Sequence, residues 1–130
     1  MNAIQTLGDK VTAELTDSNL TKATDDQLAK YLSDFPALPA EYLCLLKELG
    51  YGSYGQMGFV IYGGPLSPDE IFDSATATAL EGCILVGDDY SGGMIGYQRT
   101  DNGYVFKQFD HHEIIDIEPT NLIDFLIENL

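Results

Sequence analysis

Residues 84–97 constrain the fold more than any other part of this chain. Residues 84–86 are consecutive apolar residues (Ile-Leu-Val), so both faces of a strand formed here must be covered. This pattern predicts a central strand of a sheet. The strand leads into Asp88 and Asp89, a glycine-containing turn, and a second β-prone run at residues 94–99. We therefore predict a β-hairpin with two carboxylates at its mouth.

The composition indicates one folded domain spanning residues 1–130, since 45% of the residues are hydrophobic. The chain has 21 acidic and 6 basic residues, which gives a net charge of −15. Such a charge repels nucleic acid and anionic membranes, and it favours basic partners or simply high solubility. We expect neither nucleic acid nor a membrane as a partner.

Two cysteines, Cys44 and Cys83, stand in apolar surroundings and are too few for a disulfide framework, so we interpret them as reduced core thiols. The sequence has no secretory signal at its start and no apolar run of about 20 residues. We expect a cytoplasmic protein.

Three helices are predicted in the first part of the chain. The first covers residues 2–15, which have a weak apolar stripe. The second begins at a capping box formed by Thr24 and Gln27 and ends at Pro36. The third begins at Pro39 and has an apolar stripe that ends at Gly50.

Residues 50–55 satisfy the pattern G-x-G-x-x-G, but they follow a helix and lead into a strand at 59–62. A dinucleotide-binding loop has the reverse order, so we interpret this segment as a flexible aromatic loop. A second capping box at residues 67–70 predicts a short helix through Phe72. Residues 73–80 are small and polar, which is typical of a connection.

The remaining strands are predicted at residues 104–109 and 114–117, with a tight turn at 101–103 before them. Residues 118–120 are predicted to start the last helix. The order of elements predicts an α+β fold with a largely antiparallel sheet of about five strands, flanked by N-terminal helices and a C-terminal helix.

The order and spacing of these segments resemble the Smi/Knr family of the SUKH superfamily. The match covers residues 24–130, whereas residues 1–22 form a helical extension that fits the pattern poorly. The matching pieces are Leu38-Pro39-Ala40-Glu41-Tyr42, Leu49-Gly50, Leu85-Val86-Gly87-Asp88, Gly92-Gly93, Asp101-Asn102-Gly103-Tyr104-Val105, and residues 122–126. The chain lacks the tryptophan that many members carry.

The resemblance implies a bacterial immunity protein that is not an enzyme. We also expect no cofactor or metal, because no group of residues in the sequence has the spacing of metal ligands. Such a protein binds and silences a toxin domain used in bacterial competition, very often a nuclease. The charge agrees with this expectation, because a nuclease groove is lined with basic residues that hold phosphate, and a carboxylate surface can occupy it.

The sequence signals for catalytic and metal-binding sites are weak. Asp88 and Asp89 could form an acid/base pair, but adjacent strand residues point to opposite faces. His111 and His112 are also adjacent and therefore diverge. Cys44 has no base near it in the sequence. The alternative to an immunity protein is a small ligand-binding regulator or enzyme that uses the acids and histidines around the hairpins.

The predicted partner-binding residues are acids near the turns of the sheet together with tyrosines on loops. Tyrosine is enriched at interfaces, although loop tyrosines also fold back onto a core. We expect substitution of the acids to spare the fold, because turn residues stand clear of the core. The predicted residues are Asp88, Asp89, Tyr90, Asp101, Asp110, Glu113, Tyr51 and Tyr54.

Overall fold

A computed structural model of the chain describes residues 3–55, 58–110, 113–118 and 121–130. The described residues form five α-helices, one 3-10 helix and seven β-strands. The helices are α1 (Ala3–Glu14), α2 (Asp25–Asp34), α3 (Ala40–Glu48), the 3-10 helix (Pro68–Glu70), α4 (Ser74–Ala79) and α5 (Leu122–Asn129). The strands are β1 (Asn19–Thr21), β2 (Tyr51–Tyr54), β3 (Phe59–Leu66), β4 (Cys83–Asp88), β5 (Met94–Thr100), β6 (Gly103–Asp110) and β7 (Glu113–Ile115).

The seven strands form one antiparallel sheet in which every strand pairs with its neighbours in the chain. β4 is the middle strand, and its residues 83–87 are buried, which confirms the prediction of a central strand. β4 and β5 form the predicted hairpin, with Asp88 opposite Met94. The α+β class with an antiparallel sheet is confirmed, but the expected number of about five strands is too low because β1 and β2 were missed.

The helices cover the two faces of the sheet unequally. On the first face, Ile84, Ile95 and Phe106 belong to a large core that includes residues of α1, α3 and α5. On the second face, Leu85 and Phe109 belong to a small cluster that also contains Leu80, at the end of α4. Alternate strand residues point to opposite faces, so the consecutive apolar residues of β4 serve both cores.

The segment predicted as a flexible aromatic loop is strand β2. Gly52 has φ +125°, and a Cβ added there would lie 2.1 Å from the carbonyl oxygen of Asn19 on β1. Only glycine lets the two backbones approach this closely. The glycines that suggested a loop therefore serve a strand pair, and β1 begins at Asn19, within residues 1–22, which were predicted to form a helical extension.

The N-terminal extension is part of the fold. Leu7 of α1 is fully buried in the large core, and β1 forms one edge of the sheet through its pairing with β2. Residues 73–80, predicted as a connection, contain α4. Asp73 caps this helix, since its carboxylate accepts a hydrogen bond from the Thr76 N–H (2.9 Å).

Both predicted capping boxes are present, at Thr24 before α2 and at Ser67 before the 3-10 helix. The last helix, α5, begins at Leu122 with Asn121 as its cap. The predicted start at residues 118–120 includes Pro119 and Thr120, which lie outside the described residues.

Glu41 of α3 joins three elements of the first face. Its carboxylate accepts hydrogen bonds from the Leu122 N–H (2.9 Å) and the Ile123 N–H (3.2 Å) at the start of α5. It also accepts one from the buried Tyr97 hydroxyl on β5 (2.8 Å). A negative charge at a helix N-terminus is stabilising, so Glu41 fixes α5 against the sheet.

The direction of the strands places the turns at two ends of the sheet. The β2–β3, β4–β5 and β6–β7 connections lie at one end, and the β5–β6 turn lies at the other. Within the described part of the chain, no helix has the length and apolar character needed to span a membrane.

Candidate protein-binding surface

Asp89 stabilises the β4–β5 loop through hydrogen bonds to the backbone of the loop itself. Its Oδ1 atom accepts hydrogen bonds from the Ser91 N–H (2.8 Å) and the Gly93 N–H (3.0 Å). Its own N–H donates to the Gly93 carbonyl oxygen (2.9 Å). A Cβ at Gly93 would lie 2.6 Å from the Oδ2 atom of Asp89, so the glycine makes room for the carboxylate.

Asp88 links the loop to β3. Its Oδ1 atom accepts a hydrogen bond from the Tyr90 N–H (2.9 Å), and its Oδ2 atom accepts one from the Tyr62 hydroxyl (2.8 Å). Burial, the hydrogen bond to Asp88 and the charge of Asp88 raise the pKa of the Tyr62 hydroxyl. Asp88 and Asp89 are therefore structural parts of the hairpin, which corrects the expectation that substituting them spares the fold.

Tyr90 is the exposed aromatic residue of this loop, with 43% of its surface accessible. Its backbone has φ 67°, a left-handed conformation that is uncommon for residues other than glycine. Its hydroxyl lies 2.8 Å from the Oγ atom of Ser53 on β2. The side chain therefore reaches across β3, and the loop and the hydrogen bond hold an aromatic ring at the surface in one orientation.

The other predicted acids fall at opposite ends of the sheet. Asp110 and Glu113 are exposed and flank the β6–β7 turn, at the same end as the β4–β5 loop. Asp101 lies in the β5–β6 turn, so the length of β5, about 20 Å at ~3.3 Å per residue, separates it from the others. The structure therefore separates Asp101 from the other predicted acids, which lie at the opposite end of the sheet.

The two remaining tyrosines do not project as anchors. Tyr54 is fully buried in the core, and its hydroxyl donates a hydrogen bond to the Gly50 carbonyl oxygen (2.6 Å). Burial raises the pKa of this hydroxyl. Tyr51 is half-buried beside Gly63, at the end away from the β4–β5 loop. Tyr54 cannot contact a partner in this conformation, which corrects its prediction as an interface residue.

Acidic side chains dominate the end of the sheet that carries the β4–β5 loop. The ends of α1 and α5 also lie here, because the N–H of Gly55 donates to Ser18 (2.7 Å) and a Cβ at Gly58 would lie 2.9 Å from Leu130. Lys10 is at the margin, where its ammonium donates to the Ile127 carbonyl oxygen (3.0 Å). We call this region the acidic end, and its acids are Asp17, Asp88, Asp89, Asp110, Glu113 and Glu128.

Charged residues of both signs occur at the opposite end. The β5–β6 turn, the ends of α2 and α3, and the segments that follow β1 and β3 meet here. We call this region the mixed end. Its bases are Lys22, Lys30, Lys47 and Arg99, and its acids are Asp34, Glu48, Asp69, Glu70, Glu81 and Asp101.

Sequence reasoning missed Ser53 and Tyr62, the residues that orient Tyr90 and Asp88. Their partners are 37 and 26 positions away in the chain. Val60 pairs with both Ser53 and Asp88, so the sheet register brings these residues together. No local pattern carries that signal, because it depends on the pairing of β2, β3 and β4.

Two features of the described residues bear on metal binding and on cysteine reactivity. Among the described residues, no group of three or more His, Cys, Asp or Glu side chains could hold a metal ion. His111 and His112 lie outside the described residues. Burial raises the pKa of the Cys83 thiol to about 11, which lowers the fraction of reactive thiolate.

The arrangement therefore offers a rigid exposed ring next to carboxylates from several elements, which suits contact with a basic protein surface. Comparison of the chain with protein-family models, with curated proteins and with solved structures gives no match.

Proposed function

We propose that this chain is an immunity protein that binds and neutralises a basic bacterial toxin domain through its acidic end. The observation that carries the proposal is the position of Tyr90 at the end of the sheet where acids predominate, with an exposed ring whose hydroxyl is hydrogen-bonded to Ser53 and a backbone N–H that donates to Asp88. The resemblance of the sequence to the Smi/Knr family supports the same proposal. The protein acts by binding rather than by catalysis, in the cytoplasm of the cell it protects.

Two kinds of contact have different roles at this surface: exposed carboxylates speed association, and an aromatic side chain anchors the complex. Exposed carboxylates such as Asp110 and Glu113 attract a basic partner over the screening distance of about 8–10 Å and speed association. Tyr90 is the anchor, because a ring that is already held in place loses little side-chain freedom on binding. If the toxin is a nuclease, the carboxylates occupy the basic groove that otherwise holds phosphate.

Asp88 and Asp89 have a supporting role in this mechanism. Their carboxylates are half-buried and accept hydrogen bonds within the hairpin, so they hold Tyr90 in position while adding to the negative potential.

The test needs a partner, and the first candidate is the C-terminal domain of any large secreted protein encoded next to this chain. Expression of that domain should arrest bacterial growth, and co-expression of this chain should restore it. If the chain gives no protection and does not bind the domain, the assignment of that partner fails.

The surface is then tested with two charge reversals of equal size. Asp110→Lys with Glu113→Lys changes the acidic end, and Glu81→Lys with Asp101→Lys changes exposed acids of the mixed end. We expect the first pair to slow association with the toxin at least about tenfold at low salt, and the second pair to have a much smaller effect. Equal effects of both pairs would contradict the acidic end as the binding surface.

A further inference from the structure

A groove of about 740 Å³ lies between α2 and β3, away from the acidic end. Its walls include the aromatic side chains of Tyr31, Phe35 and Tyr62, and its floor includes residues 63–65. Ligand sites commonly have volumes of roughly 300–1,000 Å³ and a largely apolar lining with a few polar groups. The groove therefore has the size and the lining of a binding site, and the proposed toxin contact does not use it.

A β-bulge in β3 forms the floor of this groove. Ile61 pairs with Gly87 and Leu66 pairs with Leu85, so residues 62–65 stand opposite Val86 alone. The bulged backbone is supported from α2 instead of from β4, since the Tyr31 hydroxyl donates a hydrogen bond to the Gly63 carbonyl oxygen. Bulges of this kind often lie beside functional sites because they redirect the strand.

Tyr31 lies directly on this bulge. A Cβ at Gly64 would come within 2.8 Å of the Tyr31 ring, so the strand offers a bare backbone where the ring packs. Burial is the main cause that raises the pKa of the Tyr31 hydroxyl. The aromatic wall of the groove therefore packs directly on its glycine floor.

The rim of the groove is acidic. Lys30 forms an ion pair with Asp34 (3.4 Å), and Glu70 accepts a hydrogen bond from the Ser67 N–H (2.7 Å). Asp69 is exposed between them and takes part in neither interaction. The net charge of these residues is negative, so the groove complements a cation.

A second groove of about 550 Å³ continues from the first, because Phe35, Ser67 and Asp69 line both. It contains Glu81 and Arg99, whose charges are opposite. The two grooves adjoin at these shared residues, which include Asp69. Two adjoining grooves suit an extended chain better than a compact small molecule.

We infer that this groove binds an extended peptide segment of a protein partner, with an arginine side chain over the aromatic walls and paired with Asp69. Arginine fits better than lysine because its planar guanidinium group both stacks on aromatic rings and bonds a carboxylate. The inference does not depend on the identity of the partner at the acidic end.

The probe is the blocked tripeptide acetyl-Gly-Arg-Gly-amide, titrated into the ¹⁵N-labelled full chain at about 0.15 M salt, where long-range attraction to the acidic protein is screened. The same peptide with citrulline in place of arginine is the neutral control. We expect the amide signals of residues 30–35 and 62–70 to shift in a saturable way, with tighter binding of the arginine peptide.

The matched variants are Asp69→Asn and Asp101→Asn, which remove one exposed carboxylate each at the same end of the sheet. We expect Asp69→Asn to weaken binding of the arginine peptide about twofold to fivefold, the range for one exposed charge pair, and Asp101→Asn to leave it unchanged. Folding of both variants is checked from their amide spectra.

Several results would overturn the inference. These are absence of saturable shifts, shifts centred on the acidic end, equal weakening by both substitutions, or equal binding of the citrulline peptide. Failure of this test leaves the toxin experiment unaffected, because the acidic-end substitutions of that experiment, Asp110→Lys and Glu113→Lys, lie outside both grooves and its readout is different.

Discussion

The acidic end and the mixed end of the sheet are both made of tight connections between antiparallel strands, but their carboxylates have different tasks. In the β4–β5 loop, Asp88 and Asp89 accept the hydrogen bonds that shape the loop. In the β5–β6 turn, Thr100 does this, because its hydroxyl donates to the Gly103 carbonyl oxygen (2.7 Å) and accepts from the Asn102 N–H (3.2 Å). Asp101 takes no part in those bonds.

The comparison shows that an acid in a turn sequence can be either a structural residue or a free surface charge. The difference lies in which neighbouring group satisfies the backbone N–H groups of the turn. In the β4–β5 loop the same residues supply both structure and charge, so charge removal there also weakens the fold. In the β5–β6 turn Thr100 supplies the hydrogen bonds and Asp101 supplies the charge.

The largest expected effect is a difference in the loss of unfolding free energy between substitutions of Tyr54 and Tyr90, two tyrosines of the acidic end. Tyr54→Ala should lower the free energy of unfolding by about 3–5 kcal/mol, because it leaves a cavity in the core. Tyr90→Ala should lower it by at most about 1 kcal/mol, because the ring is exposed and loses one surface hydrogen bond. Urea unfolding followed by circular dichroism measures both values, and similar losses would contradict the assignment of Tyr54 to the core.

The next largest effect is a difference in the loss of unfolding free energy between the acids of the β4–β5 loop and the acids that flank the β6–β7 turn. Asp88→Lys with Asp89→Lys should cost about 2–4 kcal/mol of unfolding free energy, since hydrogen bonds to charged groups are lost inside the hairpin. Asp110→Lys with Glu113→Lys changes the net charge equally at exposed positions and should cost less than about 1 kcal/mol. Parallel urea curves for the two double variants make the comparison, which fails if both fold equally well.

A smaller effect is expected from salt. A net charge of −15 repels itself, and salt screens this repulsion, so we expect the melting temperature to rise by a few degrees between about 0.02 M and 0.2 M salt. The rise should shrink more in Asp110→Lys with Glu113→Lys than in Glu81→Lys with Asp101→Lys. Differential scanning calorimetry measures it. A flat melting temperature in the unsubstituted chain would mean that the acids are dispersed rather than concentrated at one end.

The smallest effect concerns the hydrogen bond between Ser53 and Tyr90. Ser53→Ala and Tyr90→Phe each remove one hydroxyl, and the double variant should cost no more than either single variant. The coupling energy should be about 0.5–1 kcal/mol, as for a partly exposed hydrogen bond. Ser91→Ala is the control on the same loop. Additive losses in the urea-unfolding cycle would show that the bond does not orient the ring.

Local rules predicted much of this fold. The capping boxes at Thr24 and Ser67 depend on residues three positions apart, and both are present. The apolar residues 84–86 identified the middle strand. Local rules failed for β1 and β2, which are short and rich in polar residues and glycine, because β2 forms through its pairing with β3, and β1 through its pairing with β2.

The candidate surface was predicted only in part. Asp88, Asp89, Tyr90, Asp110 and Glu113 do lie at one end of the sheet, since alternating strand direction brings every second connection together. Exposure could not be predicted for Tyr54, because its side chain follows the core-facing side of β2 rather than the apparent loop.

By itself, the sequence determined the elements whose signals are local, namely the two capping boxes, the tight turns and the central strand, together with the net charge. The tertiary structure decided which carboxylates are exposed, which tyrosine is exposed, and where the groove between α2 and β3 opens. The physical reason is distance along the chain. Side-chain roles here depend on partners brought into register by strand pairing, and no short stretch of sequence contains both members of such a pair.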